Sequence, residues 1–191
     1  MNNVIQPFGY AELYELSNSS QHKYGRFVKF DQNNPSKIIF ANDNENLVGI
    51  TSTNFSVLSN SYNEWPKKYI YDKFGEVFLE KKTIAKGKLD YDDINEFPYI
   101  RTYKEEDYFP VKNDCYNESI EYISRLDRNE WIPVVLIGKC IVEDDGTCIP
   151  GKKCNLYNGN NEDLYGTVTI SDTGWYVLER VDKNTVMILY K

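Results

Sequence analysis

The run Trp131–Val142 (WIPVVLIGKCIV) is the longest apolar stretch in the chain, and the segment before it, Ser124–Glu130 (SRLDRNE), is dense in charge. A short apolar run entered from a polar corner predicts a buried strand. Pro133 cannot donate to a ladder, so it belongs among the strand's first residues or on an edge, while Gly138 predicts a bulge or a close backbone approach. Asp144-Asp145-Gly146 supplies the residues of a tight turn. Thr147–Ile149 is expected to return as the second strand of a hairpin before Pro150-Gly151 turns the chain again.

Elsewhere the pattern is also that of strands. Gly25–Phe30, Lys37–Ala41 and Leu47–Thr53 predict a three-stranded meander over Tyr24–Thr53, turned at Asn33–Ser36 and Asn42–Asn46. Gly151–Leu156 echoes Gly25–Phe30, and it too leads to two further strands, Gly166–Ser171 and Gly174–Val181. Val186–Tyr190 (VMILY) supplies a last apolar strand. The expected fold class is mainly β, two meanders packed as a barrel or sandwich with little helix. The 16 Tyr and 9 Phe fit half-buried pleated surfaces. Tyr10–Leu16 (YAELYEL) is open between one helical turn and a strand with Tyr10, Glu12 and Tyr14 on one face. The middle, Asn54–Tyr116, is expected to be irregular apart from a hairpin over Tyr69–Lys81 that turns at Asp72–Gly75. Lys86–Asp114 then forms a long excursion, either embracing a partner or lying as a surface loop.

Composition removes several classes of function. Of 191 residues, 22 are Lys or Arg and 29 Asp or Glu, a net charge of −7 spread along the chain, so a phosphate-neutralising face for nucleic acid is not expected. No run approaches the length of a membrane helix. Cys115, Cys140, Cys148 and Cys154 lack metal-ligand spacing and His22 is the single histidine, so no metal site is expected and buried reduced thiols are. Asp144-Asp145 lacks the regular oxygen ligands of a calcium loop, Ser52, Ser56 and Ser59 lack a triad partner other than His22, and no glycine-rich phosphate loop is present. No cofactor is therefore expected. Trp65, Trp131 and Trp175 are core or interface anchors.

The DRNEW corner, the apolar strand with its glycine and the V-x-D-D-G-T-C segment together resemble the C-terminal intramolecular-chaperone autoproteolytic domain of phage tail and neck appendages, the peptidase G2 family. Tyr10-Ala11-Glu12, Gly25–Asp31 and Val48–Phe78 resemble it in the same order. The resemblance implies an N-terminal tail over residues 1–8 and one domain over 9–191, divided at 53 and 121. It also implies a homotrimer, with tail, neck or head-fibre proteins as partners, in the virion or in the host cytoplasm during assembly. In the family an Asp-Tyr-Ala-Glu motif is cleaved before its aspartate. Here the motif is Gly9-Tyr10-Ala11-Glu12, which makes Glu12 the candidate catalytic carboxylate and Phe8–Gly9 the aligned scissile bond. An aspartate can assist attack on the neighbouring carbonyl and glycine cannot. The expected function is thus a structural, trimerising domain that has lost cleavage. The alternatives are an active carboxylate autoprotease and a receptor-binding fibre tip. Trp65, Asp127, Arg128 and Trp131 are the candidate interface residues.

Overall fold

In a computed structural model, residues 9–19, 22–62, 65–91 and 98–191 are described. The chain is mainly strand, and its helical elements include two short 3-10 turns, Arg125–Asp127 and Glu162–Leu164. It divides into two compact units, one formed by residues 1–63 with 123–191 and one by 64–122.

The first unit holds β1 (Tyr10–Leu16), β2 (Phe27–Phe30), β3 (Lys37–Phe40), β4 (Leu47–Thr51) and β5 (Val57–Ser59), and later β8 (Trp131–Glu143), β9 (Lys153–Leu156), β10 (Val168–Ser171), β11 (Trp175–Asp182) and β12 (Thr185–Tyr190). These ten strands form one sheet in the order β10-β9-β11-β12-β8-β4-β2-β3-β1-β5, and an added β8–β1 pairing closes five of them into a ring. Around that ring β1 lies antiparallel to β8 and parallel to β3. Closure removes sheet edges and encloses side chains, the usual logic of a small barrel.

The apolar run from Trp131 does become the central strand. Pro133 is its third residue, opposite Leu13. The β1–β8 register slips by one between Tyr10, opposite Ile137, and Ala11, opposite Val135, which leaves Leu136 as a bulge two residues before Gly138, where the sequence placed one. One core cluster, Leu16, Val28, Ile38, Ile132 and Val134 with partly buried Val48, draws on all five strands of the ring. The other runs from Ala11, Phe27, Ile50 and Val135 through Val142 to Leu156, Val168, Val177 and Ile188. It joins the ring to the second half of the sheet. Within it Phe27 stacks on Trp175 at 4.3 Å between ring centroids.

Neither three-strand set is a meander in sequence order. In each the first strand is central: β2 pairs with both β3 and β4, and β9 with both β10 and β11. After β3 the chain is carried across the end of β2 by Ala41, fully buried, which donates to Phe27 O at 3.0 Å and accepts from Gly166 N at 2.7 Å. That crossing delivers β4 to the far side of β2, between β2 and β8.

The hairpin expected at Asp144–Ile149 does not form, and β8 instead pairs with β12 through Ile188 opposite Cys140. Asp144 is the physical reason. Its carboxylate, 2% exposed, accepts from Gly146 N and Cys148 N, each at 3.1 Å, so these donors are used locally and no return strand follows. Arg180 neutralises the buried charge at 3.0 Å.

In the second unit Asp72–Glu76 turns a short hairpin as expected, with Tyr71 bridged to Val77 and Asp72 N donating to Glu76 O at 2.9 Å. The stretch expected to be an irregular excursion is largely strand. β6 (Leu79–Tyr91) and β7 (Pro98–Pro110) pair antiparallel over 13 residues each, from Leu79 opposite Pro110 to Tyr91 opposite Pro98. This ribbon belongs to no larger sheet. Lacking a core, it has no apolar run for periodicity to reveal.

Candidate functional site

β1 resolves its two sequence readings as a strand, and alternation places Tyr10, Glu12 and Tyr14 on one face. Tyr10 Oη donates to Glu12 Oε1 at 2.6 Å and Tyr14 Oη to Glu12 Oε2 at 3.2 Å. Both carboxylate oxygens are thus engaged by phenols of the same strand. Burial, then the Glu12 charge and hydrogen bond, push the Tyr14 hydroxyl up to about 12 from its ordinary 10.0, so it stays a donor at neutral pH.

Glu12 also lines an open cleft of about 520 Å³ with Leu58, Ser59, Asn60, Ser61 and Tyr62. The far wall is held by strained backbone: Asn60 and Tyr62 adopt φ of 60° and 42°, conformations that persist only when surroundings enforce them. Asn60 Nδ2 donates to Leu13 O at 2.8 Å, tying the wall to the Glu12 strand. Arg125 enforces the rest. Its guanidinium lies 4.0 Å from the Trp131 ring centroid and 4.5 Å from that of Tyr62, and its Nη1 donates to Asn60 O at 3.1 Å and to Asn60 Oδ1. Sequence reasoning missed Arg125 while weighing its neighbours Asp127 and Arg128.

Gly9 immediately precedes β1 at φ 113°, its carbonyl accepting from Ser56 N at 2.9 Å. A Cβ there would lie 2.5 Å from Ile137 O and 3.1 Å from Val135 Cγ1. Phe8, the other side of the aligned bond, lies outside the described residues. Of the candidate interface residues, Trp131 is half-buried under Arg125 and Arg128, Arg128 pairs with Glu130 at 3.6 Å, and Asp127 is exposed on the 3-10 turn. Trp65 belongs to the second unit, against Tyr122 and Tyr116 at 5.6 and 6.4 Å. The four cysteines are free thiols, three of them buried. Cys148 shares a hydrogen bond with Cys154, and that bond with burial raises its pKa. Among the described residues no cluster of three or more His, Cys, Asp or Glu could hold a metal.

This fold is that of the C-terminal domain of a phage appendage protein. The crystal structure of the bacteriophage phi29 gene product 12 C-terminal fragment matches 95% of the chain and 99% of that fragment, with a TM-score of 0.66 at 20% identity. The pre-mature phi29 gene product 12 matches the whole chain over 23% of its own length, with a TM-score of 0.68 at 18% identity. The chain belongs to the Peptidase_G2 family, the IMC autoproteolytic cleavage domain, whose model matches residues 4–182. It is 28% identical over 151 residues to the pre-neck appendage protein of Bacillus phage B103, covering 78% of this chain and 15% of that protein. It is also 28% identical over 155 residues to the putative phage-related protein YobO of Bacillus subtilis, covering 79% and 17%. The chain thus spans only about a sixth of the length of these curated relatives.

Proposed function

We propose that this chain is the assembly-directing domain of a phage appendage, which associates as a trimer and holds neighbouring chains in register without cleaving itself. Its partners are copies of itself and tail, neck or head-fibre proteins, met in the host cytoplasm and retained on the particle. Trp65, Asp127, Arg128 and Trp131 contribute to the contacts.

The ribbon carries this reading. Thirteen residues per strand at about 3.3 Å each make it roughly 43 Å long, and a lone two-stranded ribbon is marginal in water. Its two faces differ. Glu80, Lys82, Lys86, Lys88, Arg101, Glu105 and Asp107 share one with Ile84, Tyr103 and Phe109, whereas the other carries Leu79, Thr83, Ala85, Gly87, Ile100, Thr102 and Tyr108 with only three charges, Lys81, Lys104 and Glu106. On this less charged face Leu79, Ile100 and Tyr108 are 54, 69 and 62% exposed. Covering it with a neighbouring chain supplies the burial the ribbon lacks. Intertwined β-fibres fold slowly because their contacts are distant in sequence, and a domain that associates first raises the local concentration of the strands it holds.

Loss of cleavage is supported by Gly9, where no side chain fits, and by the engagement of both Glu12 oxygens. The second reading, a working autoprotease, draws on the same ladder: a carboxylate with two hydroxyl donors three residues from the aligned bond has the composition of an acid–base group. Native mass spectrometry separates the two. An intact chain of 22.3 kDa in a trimer is expected, and a chain shortened by its first eight residues overturns the non-cleaving reading.

A further inference from the structure

The turn Asp72–Glu76 presents an aromatic side chain to solvent on a rigid support. Phe74 is 83% exposed, and Tyr71 and Phe78 on the same hairpin are 44 and 51% exposed. Asp72 Oδ1 accepts from Phe74 N at 2.8 Å and Glu76 N at 2.9 Å, and Gly75, at φ 89°, donates to Asp72 O at 3.2 Å. The tip is therefore ordered before it meets anything, which lowers the entropy lost on binding. Aromatic anchors set into pockets are the usual energetic centre of an interface.

A receptacle of matching chemistry exists in the first unit. Leu47, Trp175, Leu178 and Leu189 line a cleft of about 540 Å³ with Asn44, Asn155 and Lys191 among its polar residues. A cavity of about 150 Å³ already holds a benzene-sized ring, so the cleft has room for a phenyl group and its flanks. Its wall is stiff, because Trp175 is backed by Phe27 and by Tyr190, 6.0 Å away between centroids. Charge also matches: the turn carries Asp72 and Glu76 against Lys73, while the cleft carries Lys191, with Lys153 beside its Tyr176 at 5.9 Å from the ring centroid.

We propose that Phe74 of one copy inserts into the Trp175–Leu178 cleft of a second copy, so that this chain assembles head to tail through a plug and a socket. Such a heterologous contact closes into a ring when its rotation permits. The inference rests on the reading that the domain associates with itself, and it names the surface that does so.

The test places a benzophenone photo-crosslinking amino acid at position 74 of the full chain and maps the products by mass spectrometry. Native mass spectra are recorded beside it for the wild type, Phe74→Ser and Leu178→Glu. Cross-links to Trp175, Leu178 or Leu189 of another copy are expected, with at least a tenfold weaker assembly of both variants at unchanged circular dichroism. A trimer whose cross-links fall elsewhere, or which survives Phe74→Ser, overturns the plug and leaves self-association standing. A monomeric wild type overturns both.

Discussion

Replacing Gly9 by aspartate restores the family's acidic motif in sequence, and the structure predicts that it will not restore cleavage. The backbone at φ 113° is one that residues with a side chain rarely adopt, and forcing one into it costs about 1–3 kcal/mol. The added Cβ would lie 2.5 Å from Ile137 O, and the Gly138 Cα is only 3.4 Å away, so β8 must also give, at a further cost of about 1–3 kcal/mol. A total of about 2–6 kcal/mol is a large part of the stability of an ordinary domain. At about 2–4 °C per kcal/mol for a chain of this size, the melting temperature should fall on the order of 10 °C. Gly9→Ala is the companion variant, because it carries the same strain without a carboxylate. Both should unfold at lower urea concentration than the wild type, and both should keep an unshortened mass. Wild-type stability in Gly9→Asp together with removal of the first eight residues would refute the reasoning, since the backbone would then tolerate the aspartate.

Asp144→Ala removes a buried carboxylate that answers two backbone amides and Arg180, and should lower unfolding free energy by about 3 kcal/mol in urea titrations; a loss below about 1 kcal/mol contradicts its structural role. The Tyr14 hydroxyl should titrate near 12, identified by its disappearance in Tyr14→Phe, and Glu12→Gln should bring that midpoint down but not back to 10.0, because burial is the larger cause. Since folding raises this pKa, the associated stability is present below pH 10 and lost as pH climbs toward 12. An unmoved midpoint in Glu12→Gln would show that the ladder does not hold in solution.

How far the sequence revealed the structure depended on whether a segment's neighbours left a trace in its own residues. The strand at Trp131 is flanked on both sides, by β1 and by β12 or β4, and its apolar run announces that. Period two in Tyr10, Glu12 and Tyr14 was visible, but the choice of strand over helical turn came from pairing with Val134, far away in sequence. The central position of β2 and β9 left no trace, because it depends on where the chain goes after β3 and β10. Asp144 misled for a related reason: Asp-Asp-Gly is turn chemistry, and the partner that lets Asp144 be buried lies at Arg180. The clamp of Arg125 on Asn60 and Tyr62 joins residues that only tertiary structure brings together, and a positive φ at tyrosine has no signature in sequence. The ribbon escaped detection because both of its faces carry charge, so its alternation is not one of apolar against polar residues.

The closing of the ring by β1 and β8 also sets an order of events at the ribosome. β1 lies on the N-terminal side of its companions, yet its antiparallel partner is complete only at Glu143. Until then it can meet β3 through no more than Glu15 and Leu16 and β5 through Tyr10 to Glu12, both in parallel. A nascent chain stopped anywhere before β8 therefore carries an open edge, with Ala11 and Leu13 waiting for cover. Such an edge is a template for wrong pairing. Truncations within the first 130 residues should consequently aggregate rather than yield a smaller folded domain.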